Sequence, residues 1–222
     1  MGLRLRNNLH WCECAGRAVF LDLEQDRYFC LSRAANDGFL ELASGAAPAQ
    51  DAENLHSLVA RGLLFEAQSN SRLQLPPMIE APTKDYLNAD AARTPKTDVL
   101  WALARELRIA WLLKTRTLDR TLKHIRESRL GPKPRAADER RLLAPIIAAF
   151  ETVALITSTH NRCLVRALTV YAACRSIGIN PMLVFGVTGN PFAAHCWVQL
   201  KEAVLVGGFE QARLYTPILV IE

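Results

Sequence analysis

The chain has 222 residues, half of them hydrophobic and 22% charged, a composition that suits a folded globular protein and excludes a disordered one. Its net charge of +5 is modest, and no uncharged apolar run reaches the roughly eighteen residues that a membrane-spanning helix needs. The N-terminal MGLRLRNNLHWCECAG lacks the apolar core of a secretory signal, so the expectation is a cytoplasmic protein with no membrane association.

The first third reads as strands followed by helices. AVFLDLE and RYFCLS are β-rich runs separated by a turn at Gln25-Asp26, and LHWCEC supplies a third antiparallel strand. Val19, Leu21 and Leu23 alternate with Phe20, Asp22 and Glu24, which predicts a half-buried strand. Ser32 is placed to cap a helix that ends at Gly45, and Asp51 to open a second helix with Leu55, Leu58, Val59 and Leu63 on one stripe. These elements make a winged-helix-like module.

From residue 67 to 97 the chain becomes rich in Pro, Ser, Asn and Thr without periodicity. The division that follows is a first domain over 1–75, a linker over 76–97 and a second domain over 98–222. The second domain opens with one long helix from Asp98 to Glu127, its apolar stripe formed by Leu100, Leu103, Leu107, Ala110 and Trp111. GPKPR breaks it; helices follow over 138–155 and 158–177. PMLVFGV, HCWVQL, AVLVGG and RLYTPILVIE then read as strands of an antiparallel sheet, which makes the fold class α+β.

Charge is unevenly placed along this plan. Residues 1–80 carry seven basic and ten acidic side chains, whereas residues 93–141 carry fourteen basic and six acidic. No aromatic residues are interleaved at a stacking spacing, and the first module is acidic, so a nucleic-acid partner is not expected.

Six cysteines occur without a CxxC pair, so no metal site is expected. Cys163 differs from the others by its context, the start of the helix in NRCLVRALTVYAACRSIG, where free amides and the helix dipole favour a thiolate. His195 follows 32 residues later in NPFAAHCWVQL, at the start of a strand. A histidine there can accept the thiol proton and return it to a leaving amine. Cys12, Cys14 and Cys174 read as packing residues, and Cys196 is expected to face away from His195 on its strand.

These residues carry a resemblance. The Cys163-Leu164-x-Arg166 helix start, the Arg175-x-x-Gly178-Ile179 helix end and Pro191-Phe192-x-Ala194-His195-x-Trp197-Val198 resemble the protease domain of lasso-peptide biosynthesis B proteins, which are transglutaminase-like cysteine proteases. The FLDLEQDRYFCLS stretch and the LVARGLL segment resemble that family's PqqD-like leader-recognition domain. The resemblance implies a leader peptidase with Cys163 as nucleophile and His195 as base, no cofactor in this chain, and ATP required through a partner. It also implies two partners: the leader region of a ribosomally made lasso precursor and an asparagine-synthetase-like macrolactam cyclase. Leader contacts are expected at Phe20, Leu21, Asp22, Tyr28, Phe29 and Leu31, by strand addition to the sheet edge.

The chain departs from the family at the third catalytic position, an Asp twelve residues beyond the histidine, where this sequence has Gly207. Glu202 and Glu210 are the candidate substitutes, with a backbone carbonyl as the other way to hold the ring, and Gly207→Asp is expected to raise Cys163 reactivity. The missing carboxylate also keeps open a non-catalytic module that delivers the precursor to the cyclase. Acyl transfer to an amine is a third reading.

Overall fold

The computed structural model describes residues 2–45, 58–67, 73–86, 94–157 and 162–222. The chain divides into two compact units: Met1–Met78 with Val187–Ala193 and Thr216–Leu219, and Ile79–Gly186 with Ala194–Tyr215 and Val220–Glu222.

In the first unit, β2 (Leu9–Cys14), β3 (Arg17–Asp22) and β4 (Arg27–Cys30) form an antiparallel sheet in that order. A separate ribbon, absent from the sequence reading, pairs β1 (Gly2–Leu5) with β5 (Leu64–Ala67). Helix α1 (Arg33–Ser44) begins after Ser32 and stops at Gly45, whose φ of 80° is a left-handed cap that a residue with a Cβ adopts at a cost. Ser32 sits at the expected N-cap but uses its backbone carbonyl, accepting from Asn36 N, rather than its hydroxyl. The second helix expected from Asp51 falls largely outside the described residues; residues 58–60 are helical.

The core gathers Trp11, Phe20, Phe39, Leu58 and Leu64, with Phe39 edge-on to both Trp11 and Phe20. The half-buried strand expected at Val19–Glu24 is instead buried on both faces through Leu23, because Phe20 and Asp22 are as enclosed as Val19 and Leu21. Asp22 is tolerated there because Arg6 pairs with it and its Oδ1 accepts from the amides of Glu24 and Gln25, closing the β3–β4 turn.

The second unit contains α2 (Lys96–Thr115), α3 (Leu118–Glu127), α4 (Ala136–Ile156) and α5 (Cys163–Ser176). The five-stranded sheet runs β10-β7-β8-β9-β6, where β6 is Lys84–Asp85, β7 Met182–Gly189, β8 Phe192–Leu200, β9 Ala203–Val206 and β10 Thr216–Ile221. A short helix, α6 (Phe209–Ala212), joins β9 to β10. The expected antiparallel sheet therefore has a parallel edge: β6, drawn from the segment read as linker, runs parallel to β9.

Two further expectations are corrected. The single helix over 98–127 is two helices, because Arg116 is extended (φ −139°) and the Thr117 side chain accepts from Arg120 N to start α3. The apolar stripe assigned to α2 lies largely at the surface: Leu100, Leu107 and Trp111 are 66%, 56% and 60% exposed. The buried face is Ala102, Glu106, Ile109 and Leu112. Periodicity identified the helix but not which stripe packs, since a charged residue occupies the packed one. Among the described residues, no helix is long and apolar enough to cross a membrane.

Candidate active site

Cys163 is the first residue of α5, preceded by Arg162 at the N-cap. The start expected at residue 158 falls at the edge of residues 158–161, which lie outside the described ones. The first amides of a helix have no intrahelical acceptor, and the dipole places positive charge beside them. The Cys163 side chain is half-buried, open enough for a reagent to reach.

Arg162 and Arg166, on either side of Cys163, are both turned toward one carboxylate. Arg166 Nε donates to Glu106 Oε1 at 3.3 Å, and Arg162 Nη1 stands 4.0 Å from Oε2. Glu106 is 1% exposed, so α2 ties down the first turn of α5 through a buried ionic contact. Sequence reasoning missed Glu106. A Glu beside Arg105 and Leu107 on an amphipathic helix reads as solvent-facing, and only the approach of α5 gives it partners.

His195 lies within β8, not at its start, and is 7% exposed. Its Nε2 is 3.0 Å from the carbonyl oxygen of Gly207. A carbonyl can only accept, so Nε2 carries the proton and Nδ1 keeps its lone pair. The rings of Trp197 (6.0 Å, near-parallel) and Tyr215 (5.1 Å) flank the imidazole. Burial lowers the His195 pKa below its ordinary 6.5, partly offset by the Gly207 carbonyl, which favours the neutral ring as base near neutral pH. Cys196, next along β8, is buried, and its thiol is pushed well up by desolvation and then by the charge of Cys163.

The group set against the imidazole is thus the Gly207 backbone. Gly207 has φ +113°, and a Cβ there would come 2.6 Å from Trp197 Cβ and 3.1 Å from His195 Nε2. The expectation that an Asp fits at 207 is overturned, because its Cβ has neither the space nor the backbone conformation. Glu202 pairs with Lys84 at 2.8 Å, which lowers its pKa, and Glu210 is exposed in the first turn of α6.

Asp85, absent from the sequence reading, and Gln199 hold this corner. Asp85 Oδ1 accepts from Phe209 N at 2.9 Å, securing the turn just after Gly207-Gly208. Gln199, fully buried, donates to the carbonyls of Glu80 (2.8 Å) and Lys201 (2.7 Å) and accepts from Trp197 Nε1 at 3.2 Å. An amide supplies the two N–H donors that this arrangement needs; an ionised carboxylate supplies none.

The other motif residues serve packing. Arg175 donates to Asn180 Oδ1 at 2.8 Å and to the Arg126 carbonyl at 3.1 Å, while Gly178 (φ +78°) turns the chain after α5 and Ile179 is buried. Cys12 and Cys174 are buried with thiols pushed up to about 12 by desolvation. Of the expected leader contacts, Phe20, Leu21, Asp22 and Leu31 are core residues at 2% exposure or less. Their burial removes them from any ligand surface and leaves Tyr28 and Phe29, half-buried on the outer strand β4. Among the described residues, no group of three or more His, Cys, Asp or Glu side chains is arranged to hold a metal ion.

The second unit is thus a mixed α+β domain with a thiol at the start of α5 and a carbonyl-held imidazole on β8. A family model described as "Transglutaminase-like superfamily" matches residues 103–220, more than half of the chain, and the protein belongs to that superfamily. Cysteine peptidases and transglutaminases both fall within it. No match is found among curated proteins or among solved structures.

Proposed function

We propose that this protein is a leader peptidase of the lasso-peptide type. Cys163 attacks the peptide bond between leader and core, and His195 Nδ1 accepts the thiol proton. The same imidazole then protonates the departing core amine, and water hydrolyses the acyl-enzyme. The observation that carries the reading is the bond between His195 Nε2 and the Gly207 carbonyl, which fixes the tautomer that a thiol–imidazole pair requires. In this reading the module of residues 1–75 is PqqD-like, and the precursor leader adds as a strand along β4 beside Tyr28 and Phe29. The freed core amine would pass to the macrolactam cyclase, which uses ATP; this chain itself needs no cofactor.

The Gly207 carbonyl also favours a weaker variant of the reading. A neutral carbonyl stabilises an imidazolium less than a carboxylate does, so turnover by the isolated chain is expected to be slow. The alternative, delivery of the precursor without cleavage, is separated by one experiment. The protein and its Cys163→Ala and His195→Ala variants are incubated with the precursor encoded beside the gene, and products are read by mass. Leader release by the wild type alone supports catalysis; binding with no release by any of them supports delivery.

A further inference from the structure

We propose that a pocket between α2, α3 and α5 binds a small soluble phosphate or pyrophosphate anion, at a site distinct from Cys163 and His195. The pocket has a volume of about 220 Å³, which at about 30 Å³ per water holds several solvent molecules or a phosphate group. Arg105 and Arg108 of α2, His124 of α3 and Arg129 reach its walls, over an apolar floor that includes Ile109 and Leu112. No carboxylate is among the residues that line it. The basic excess seen between residues 93 and 141 thus has a concave focus, where low-dielectric walls concentrate its field.

The arginine at its centre is incompletely satisfied. Arg105 Nη1 is buried without a hydrogen-bond partner among the described residues, and its guanidinium stacks 4.6 Å over the Trp101 ring. Desolvation and the charge of Arg108 both disfavour its cation. The adjacent Glu106 does not line the pocket; its Oε1 accepts from Arg166 Nε, and its Oε2 stands 4.0 Å from Arg162 Nη1. A solvated basic helix face would spread its cations in water; here three arginines and His124 line one concavity without a carboxylate, which an entering anion would neutralise. The hydroxyls of Thr169, Ser128 and Ser176 already donate to their own helices, so the guanidiniums and His124 are the donors on offer. A phosphate accepts two parallel N–H bonds from one guanidinium and keeps further oxygens for a second arginine, which a carboxylate lacks.

The full-length protein is titrated with inorganic phosphate and with pyrophosphate at constant ionic strength set by chloride, followed by calorimetry and by thermal melting. A third arm uses phosphatidylcholine vesicles containing phosphatidic acid. Saturable binding of a free anion with a rise in Tm is expected. Arg105→Gln and Arg108→Ala should each weaken it by at least about tenfold. Lys123→Ala, which removes a nearby exposed cation outside the pocket, should leave it unchanged. Arg108 is exposed, so its variant reads binding without disturbing the core. The proposal is overturned by no saturable free-anion binding, by capture on vesicles alone, or by equal loss in Lys123→Ala. Unchanged binding in both arginine variants overturns it as well.

Discussion

Replacing Gly207 by alanine tests how His195 is held. The new Cβ would stand 2.6 Å from Trp197 Cβ, a backbone-anchored atom, in a conformation (φ +113°) that L-residues rarely adopt. Strain of that kind costs on the order of 1–3 kcal/mol, so the melting temperature should fall. Relief requires the 207 carbonyl to move, which breaks its 3.0 Å contact with Nε2. A hydrogen bond to a charged group contributes about 1.5–3 kcal/mol, and that stabilisation matters most when the ring becomes imidazolium. At 1.36 kcal/mol per factor of ten, the corresponding loss is roughly 10- to 150-fold in rate. The assay is the rate of Cys163 alkylation by iodoacetamide against pH, read by peptide mass spectrometry so that exposed Cys30 is counted separately, with melting run in parallel. Gly207→Asp should behave as badly as alanine, for the same contact. If Gly207→Ala melts with the wild type and alkylates within about twofold of it at every pH, the carbonyl does not hold the imidazole.

Three further outcomes are expected. Gln199→Glu should lower Tm at neutral pH and recover in acid, because a buried carboxylate would face the carbonyls of Glu80 and Lys201 until it is protonated; melting at two pH values checks it. Glu106→Gln should destabilise by about 3–5 kcal/mol, as Arg166 and Arg162 lose their buried counter-charge, and denaturant unfolding of Glu106→Gln with and without Arg166→Met measures the coupling. His195 has a folded pKa below its ordinary 6.5, so its contribution to stability is present above pH 6.5 and is lost as pH falls through the lower, folded value. The acid limb of alkylation should share that low midpoint, and His195→Ala should abolish it; a limb at or above pH 6.5 would contradict the burial argument.

Much of this protein was legible in the sequence because the relevant information is local. Alternation and turn residues located β2, β3 and β4, the left-handed Gly45 ended α1, and the helix start at Cys163 followed from its own flanking residues. That Cys163 opens a helix and that His195 belongs to a strand needed only their flanking residues. What holds these groups is nonlocal, and only the tertiary structure decided it. Glu106 meets Arg166 across 60 residues, Asp85 meets the Phe209 amide across 124, and Gln199 meets the Glu80 carbonyl across 119. A backbone carbonyl was one of the expected ways to hold His195, but which one could not be read, because it is a group that every residue carries and no residue letter advertises. Composition and periodicity determine which segments fold and where the reactive types lie. Which face of α2 is buried, and which oxygen meets which ring, depend on desolvation and hydrogen bonds that exist only after distant segments pack.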